Sequence, residues 1–254
     1  PLHVGIANIN SSGQCVISGG VAGVSEAGDA LARRGARVVP LNVSAAYHSR
    51  YMKTASEQFK RELDTYRFRP AQYPVVSNMD TGLYSDNSDM PALLSKHMTA
   101  PVLWSDTMTY LADHDVRYVI ELGPKNTLCR FFGDFPDIPA WPIDNDEEMN
   151  AMLARLGQDC AIWIKQFMAV CVGTENLNSD AKAYEEGAVK PYRRLEETVG
   201  RIESGEWLPY GEILRQAFND MKKVLAAKRV PRCEMEEIYG DLELSDQLMK
   251  ERHT

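Results

Sequence analysis

A chain of 254 residues with 44% hydrophobic and 25% charged side chains can bury a substantial core and has room for one large domain or two ordinary ones. Its net charge of −8 is unevenly placed, with 13 Lys and Arg against 14 Asp and Glu through Pro142 and 15 against 22 beyond it. Neither part offers the cationic surface that phosphate neutralisation needs, so nucleic acid is not an expected partner. No run approaches the length of a membrane span and no basic-then-apolar leader opens the sequence, so no membrane partner is expected and a cytoplasmic location is the default expectation. The five cysteines, Cys15, Cys129, Cys160, Cys171 and Cys233, are widely spaced with no C-x-x-C pair, which points away from a disulfide framework or a metal site.

In chain order, residues 3–10 and 14–18 read as two strands joined by the turn Ser11-Ser12-Gly13. A helix over 21–34 follows, with Val24, Ala27 and Leu31 at helical spacing and Gly35 closing it, and 37–43 returns as a strand. Strand, strand, helix, strand is most of a split β-α-β-β-α-β unit, so residues 1–43 are expected to form an incomplete ferredoxin-like subdomain. Residues 49–67 carry Tyr51, Met52, Ala55, Phe59, Leu63 and Tyr66 on one helical stripe, which should pack and hold whatever precedes it. A strand at 74–77, helices near 90–97 and 105–113, a strand at 117–122 and a helix at 126–132 complete the part 44–142, and this alternation predicts a parallel sheet covered on both faces. Beyond Pro142 the pattern changes to helices alone, near 149–171, 191–202, 213–225 and 233–249. Residues 143–254 are therefore expected to be an all-helical appendage on an α/β body.

Two glycine-rich stretches imitate known sites. Ser18-Gly19-Gly20-Val21-Ala22-Gly23 lies between strand and helix as a dinucleotide turn would, but its first glycine spacing is wrong and no acidic residue ends the next strand. Gly23-Val24-Ser25-Glu26-Ala27-Gly28 resembles a nucleophile elbow, yet its second glycine comes one place late and Ser25 falls inside the predicted helix. His48, between the 37–43 run and the amphipathic helix, is either a capped structural residue or a proton-transfer group, since imidazole titrates near neutrality.

Four landmarks in order bear on that choice: Ile9-Asn10-Ser11-Ser12-Gly13-Gln14-Cys15-Val16-Ile17-Ser18-Gly19, Val43-Ser44-Ala45-Ala46-Tyr47-His48-Ser49, Ala100-Pro101-Val102-Leu103-Trp104 and Ile120-Glu121-Leu122-Gly123-Pro124. Together they resemble the second half of the malonyl-CoA:acyl-carrier-protein transacylase family, over roughly residues 1–135. Tyr47-His48-Ser49-Arg50-Tyr51-Met52 looks most like the free-standing acyltransferases that serve polyketide synthases in trans. The resemblance implies part of an acyltransferase α/β-hydrolase-like core, malonyl-CoA as substrate with no bound cofactor, and an acyl carrier protein, with a polyketide synthase behind it, as partner. It implies that His48 is the general base of a serine and histidine pair, activating a hydroxyl that is otherwise a poor nucleophile. It also implies that the backbone carbonyl of His97, four residues before Pro101 where the family usually has glutamine, orients His48. By the same resemblance Tyr47 lies where acyl selection is tuned, and Asn10 would sit near the pocket mouth, a structural turn role being the alternative.

The family's Gly-His-Ser-x-Gly elbow, its oxyanion-hole glutamine and its carboxylate-binding arginine have no counterpart in these 254 residues. The expectation is that this chain alone, opening in mid-unit as a truncated or cleaved chain would, is inactive without a nucleophile supplied from elsewhere. The alternative is a non-catalytic acyltransferase-like module that docks a synthase or carrier protein.

Overall fold

The computed structural model describes residues 3–85, 88–114 and 116–242, and the chain divides into two units, Pro1–Pro142 and Ile143–Thr254. The first unit begins with the expected hairpin: β1 (Val4–Ser11) pairs antiparallel with β2 (Gln14–Gly19), with Val4 opposite Gly19 and Ser11 opposite Gln14. Gly19 is required there, because a Cβ would collide with the His3 carbonyl oxygen. Helix α1 (Val21–Arg33) stops as expected at Gly35, which takes the left-handed φ of +92° and donates its N–H to the Ala32 carbonyl.

The returning strand at 37–43 does not form. Both edges of β1 are occupied, by β2 and by β3 (Val102–Leu103), and no described residue offers the segment a ladder. A β-branched run is a strand only when a neighbour accepts its hydrogen bonds. Val38, Val39, Leu41 and Val43 are exposed instead. Of the expected ferredoxin-like subdomain, the described residues hold the hairpin and its helix.

The single covered parallel sheet is also replaced, by two small ones. The first has the order β2-β1-β3, with β3 parallel to β1 through Asn8↔Val102 and Ile9↔Leu103. The second pairs β4 (Val119–Glu121) with β5 (Ala140–Pro142), also parallel. Neither β3 nor β5 has enough residues to show a sequence periodicity. The expected strand at 74–77 shrinks to one antiparallel bridge, Val76↔Leu83, and the helix expected at 126–132 is a 3-10 turn, Cys129–Asp134. That turn is held by Glu121 at the end of β4, whose buried carboxylate accepts the N–H groups of Leu128 (3.0 Å) and Cys129 (2.9 Å). This carboxylate-to-turn contact explains the Glu in Ile120-Glu121-Leu122-Gly123-Pro124 as a structural residue. A compact apolar cluster of Met108, Phe132 and Ile138 lies between helix α4 (Trp104–Asp113) and the 3-10 turn.

The stripe over 49–67 behaves differently from expectation. A 3-10 turn (Arg50–Met52) leads into α2 (Lys53–Leu63), which ends four residues early and buries none of its residues. Tyr51, Phe59 and Tyr66 are exposed, and α2 is fixed by α3 (Met90–Lys96), where the Ser56 hydroxyl donates to the Ser95 carbonyl at 2.6 Å.

The second unit is built from helices: α5 (Asp146–Gly173), α6 (Ala181–Tyr184) running through a π-helical turn (Glu185–Val189) into α7 (Lys190–Glu203), then α8 (Tyr210–Ala227) and α9 (Arg232–Asp241). The part of the last expected helix beyond residue 242 lies outside the described residues. Asn145 caps α5 by accepting the Glu148 N–H, and three acidic residues fill its first turn, where the helix dipole favours them. The core joins Ile164 and Phe167 of α5 to Leu195 of α7 and Phe218, Met221 and Leu225 of α8. Two ionic groups are buried with partners: Asp220 takes a two-pronged contact from Arg194 (2.7 and 2.9 Å), and Lys228 donates to the Cys171 and Thr174 carbonyls at the end of α5. Burial pushes the Cys160 thiol up to about 11 and Cys171 to about 12, so both are inert packing residues. Among the described residues no helix is long and apolar enough to cross a membrane.

Two substitutions separate these contributions. Phe167→Ala, at 0% exposure, should lose about 3–5 kcal/mol in urea unfolding, whereas Ile162→Ala on the open face of the same helix (54% exposed) should stay within about 0.5 kcal/mol. Burial pushes the Glu121 carboxyl up, but the N–H groups of Cys129 and Leu128, with help from the Cys129 thiol and Thr127, outweigh it and hold the group below its ordinary value. Its contribution is therefore present above the unfolded carboxyl range and lost as pH falls through the lower folded value. Glu121→Gln should cost on the order of 1–3 kcal/mol at neutral pH and flatten the acid limb of a stability profile measured by circular dichroism.

Candidate active site

Helix α3 creates the site by the way it ends. Asp89 caps its start, accepting the Ala92 N–H at 3.1 Å, and Pro91 fits in the first turn. Pro101 forbids continuation, because it has no N–H and forces the residue before it out of the helical region. The last carbonyls of a helix have no partner within it. Ser95 O takes the Ser56 hydroxyl and Lys96 O takes the N–H groups of Thr99 and Ala100, leaving the His97 and Ala100 carbonyls to be satisfied from elsewhere.

His48 satisfies both. Its Nδ1 lies 2.8 Å from the His97 oxygen and 3.2 Å from the Ala100 oxygen. Carbonyl oxygens only accept, so Nδ1 carries the proton and, in the neutral ring, Nε2 presents a lone pair. The backbone beneath the ring is adapted to this aim. His48 has φ +55°, and the next residue, Ser49, is buried with its hydroxyl donating to the Ala46 carbonyl (2.5 Å) and accepting the Tyr51 N–H (3.3 Å). The turn before His48 and the helix after it are thus both tied down, and the residue sits in a turn, with no strand leading into it as the sequence reading expected.

Of the four site residues named from the sequence, the structure brings together His48 and His97. Tyr47 is exposed, its hydroxyl 3.5 Å from that of Ser44 in the same turn. Asn10 donates to the Gln14 side chain across the hairpin at 2.8 Å, the local turn contact that was the alternative for it. In the parallel register Asn8 is level with Val102, which puts Asn10 toward the opposite end of β1 from the level of Ala100.

Sequence reasoning missed two participants. One is the Ala100 carbonyl, which no side-chain pattern reports. The other is Tyr84, whose hydroxyl is 2.7 Å from His97 Nε2. A tight turn presents it: Ser77 N–H donates to Gly82 O, Thr81 N–H to Ser77 O with Thr81 at φ +56°, and Tyr84 N–H to Val75 O. Among the described residues no cluster of His, Cys, Asp and Glu could hold a metal ion.

The His97 imidazole is held below its ordinary value of 6.5, by burial first and then by the proximity of His48, with Asp80 pulling partly the other way. A histidine lowered in the folded state contributes stability that is present above the unfolded value and is lost as pH falls through the folded one. Between about pH 7.5 and about pH 5.5 the urea midpoint should fall, and His97→Gln, which cannot charge, should reduce that fall. An unchanged slope in the variant would place the titrating group elsewhere.

No family model matches the chain. A malonyl CoA-acyl carrier protein transacylase of Bacillus subtilis is 32% identical over 238 residues, covering 91% of this chain and 60% of the relative. The crystal structure of FabD from Acinetobacter baumannii superposes with a TM-score of 0.56 at 31% identity, over 59% of this chain and 48% of that one. A malonyl-transacylase solved with a type II polyketide synthase acyl-carrier protein gives a TM-score of 0.55 at 30% identity, over 57% and 48%. The chain thus spans about half to three fifths of the length of these proteins. Identity at this level goes with more than a shared fold: over its matched length the chain is a relative of the malonyl-CoA:acyl-carrier-protein transacylases, and it spans only part of theirs.

Proposed function

We propose that this chain supplies the base-bearing part of an acyltransferase that moves a malonyl group from malonyl-CoA to the phosphopantetheine thiol of an acyl carrier protein, in fatty acid or polyketide synthesis. The observation that carries the reading is His48 Nδ1 at 2.8 Å from the His97 carbonyl, which fixes the ring with Nε2 as the proton acceptor. In the first half-reaction Nε2 takes the proton of a serine hydroxyl as its oxygen attacks the malonyl thioester carbonyl, and the tetrahedral intermediate expels the CoA thiolate, which leaves protonated by the imidazolium. In the second, Nε2 takes the carrier thiol's proton, the sulfur attacks the acyl-serine, and the serine oxygen leaves with that proton. The serine, the oxyanion donors and the cation for the free carboxylate belong to motifs that do not occur in these 254 residues.

The partner follows from the same reading: the related transacylase solved with a polyketide synthase carrier protein shows what such an enzyme engages. Tyr47 would border the acyl pocket, and Asn10 is assigned to its mouth only secondarily, given its bond to Gln14. Residues 44–142 would be the C-terminal part of the acyltransferase core and 143–254 its helical extension.

Incubated with radiolabelled malonyl-CoA, the complete gene product should form a covalent acyl-enzyme, and His48→Ala should slow its formation by roughly 10²- to 10⁴-fold, the span of a lost general base. The 254-residue chain by itself should remain unlabelled. A complete product that never labels would favour the docking module over the enzyme.

A further inference from the structure

The His97 carbonyl can orient His48 only if the end of α3 is itself held in place, and the hydrogen bond made by its own side chain does this. His97 caps the end of its helix, just past Lys96, at φ −54° and ψ −29°, and its N–H makes a long contact of 3.3 Å to Leu93 O. The ring bonds Tyr84 Oη at 2.7 Å, so one residue holds His48 through its backbone and Tyr84 through its side chain. Tyr84 is anchored in turn by its N–H on Val75 O. A rotation of the 97–100 segment that released His48 would have to break the Tyr84 bond as well.

We propose that Tyr84 and the His97 imidazole form a positioning pair that fixes the His97 carbonyl against His48 Nδ1 and so selects the tautomer of His48 with Nε2 unprotonated. This rests on the reading of His48 as a base, and it adds a preference to it: a neutral His97 keeps a second cation away from that base. The groups facing the His97 ring are His48, Tyr84 and Asp80, the last on the same turn that presents Tyr84. Asp80 is kept ionised by the Ser77 hydroxyl and, against a partial cost of burial, by the Gly82 N–H. Burial and the adjacent His48 favour the neutral ring; a charged His97 would still bond the Tyr84 oxygen by donating from Nε2 but would place a cation beside the base. Glutamine at 97 can accept the same hydroxyl without charging, whereas alanine cannot.

Nitrogen chemical shifts of the imidazole rings, assigned with His48→Gln and His97→Gln in the full 254-residue chain, report the tautomer of His48 directly. Wild type at mildly alkaline pH should show His48 protonated at Nδ1. Tyr84→Phe and His97→Ala should each lower the preference for that tautomer by roughly fivefold, the factor that loss of one ordinary hydrogen bond produces. His97→Gln should retain it. Thermal melts of all three variants check that the fold is kept; Tyr84→Phe removes one oxygen only, so it is the decisive variant if His97→Ala unfolds. A single unchanged tautomer in Tyr84→Phe overturns the pair. The readout needs no substrate, so a complete protein that fails to transfer malonyl would overturn the functional reading without touching this one.

Discussion

The candidate site depends on a helix that stops before its carbonyls are satisfied. Pro101 stops the chain from continuing helically after α3, neighbours take the Ser95 and Lys96 oxygens, and the His97 and Ala100 oxygens are both bonded by one imidazole. A ring donating one N–H to two fixed acceptors has lost its freedom to rotate and its choice of tautomer. That is preorganisation of the kind a general base needs, and here backbone atoms supply it. The side chains around it act at one remove: Ser49 and Ser56 fasten the turn and the helix on the His48 side, and Tyr84 fastens the His97 side.

The legibility of the sequence followed the range of the forces involved. Helices with long apolar periodicities, such as α5 and α8, could be read from spacing, as could the hairpin with its Ser-Ser-Gly turn and the end of α1 at Gly35. Strands were read less well because a strand needs a partner that spacing does not reveal. The β-branched run 37–43 found none, while Val102–Leu103, too short to be noticed, found β1. His48 and the His97 position were legible through the family's motifs, but Tyr84 was not: a tyrosine in a polar loop carries no pattern, and what matters is a turn with a left-handed Thr81.

The helical unit uses the same device of helix ends bonded by side chains, for stability. Lys228 is buried with its ammonium on the Cys171 and Thr174 carbonyls of α5, and Asn178 donates to Ala227 O at the end of α8. Each joins the close of one helix to the neighbourhood of another. Buried charge is tolerated there because the ammonium is directed at two carbonyl oxygens. Asp220 is the complementary case, an anion of α8 bonded by a guanidinium from α7.

The left-handed backbone of His48 narrows what this position is for. Such a φ costs on the order of 1 kcal/mol or more for most side chains, and asparagine is among the residues that bear it best. Asparagine also carries an amide donor suited to a carbonyl at a helix end, so the conformational demand and the demand for a donor are both within the reach of a side chain with no acid–base chemistry. What histidine adds at this place is a second ring nitrogen, Nε2, which no carbonyl among the described residues engages. The residue thus exceeds its structural duty by one proton-accepting atom.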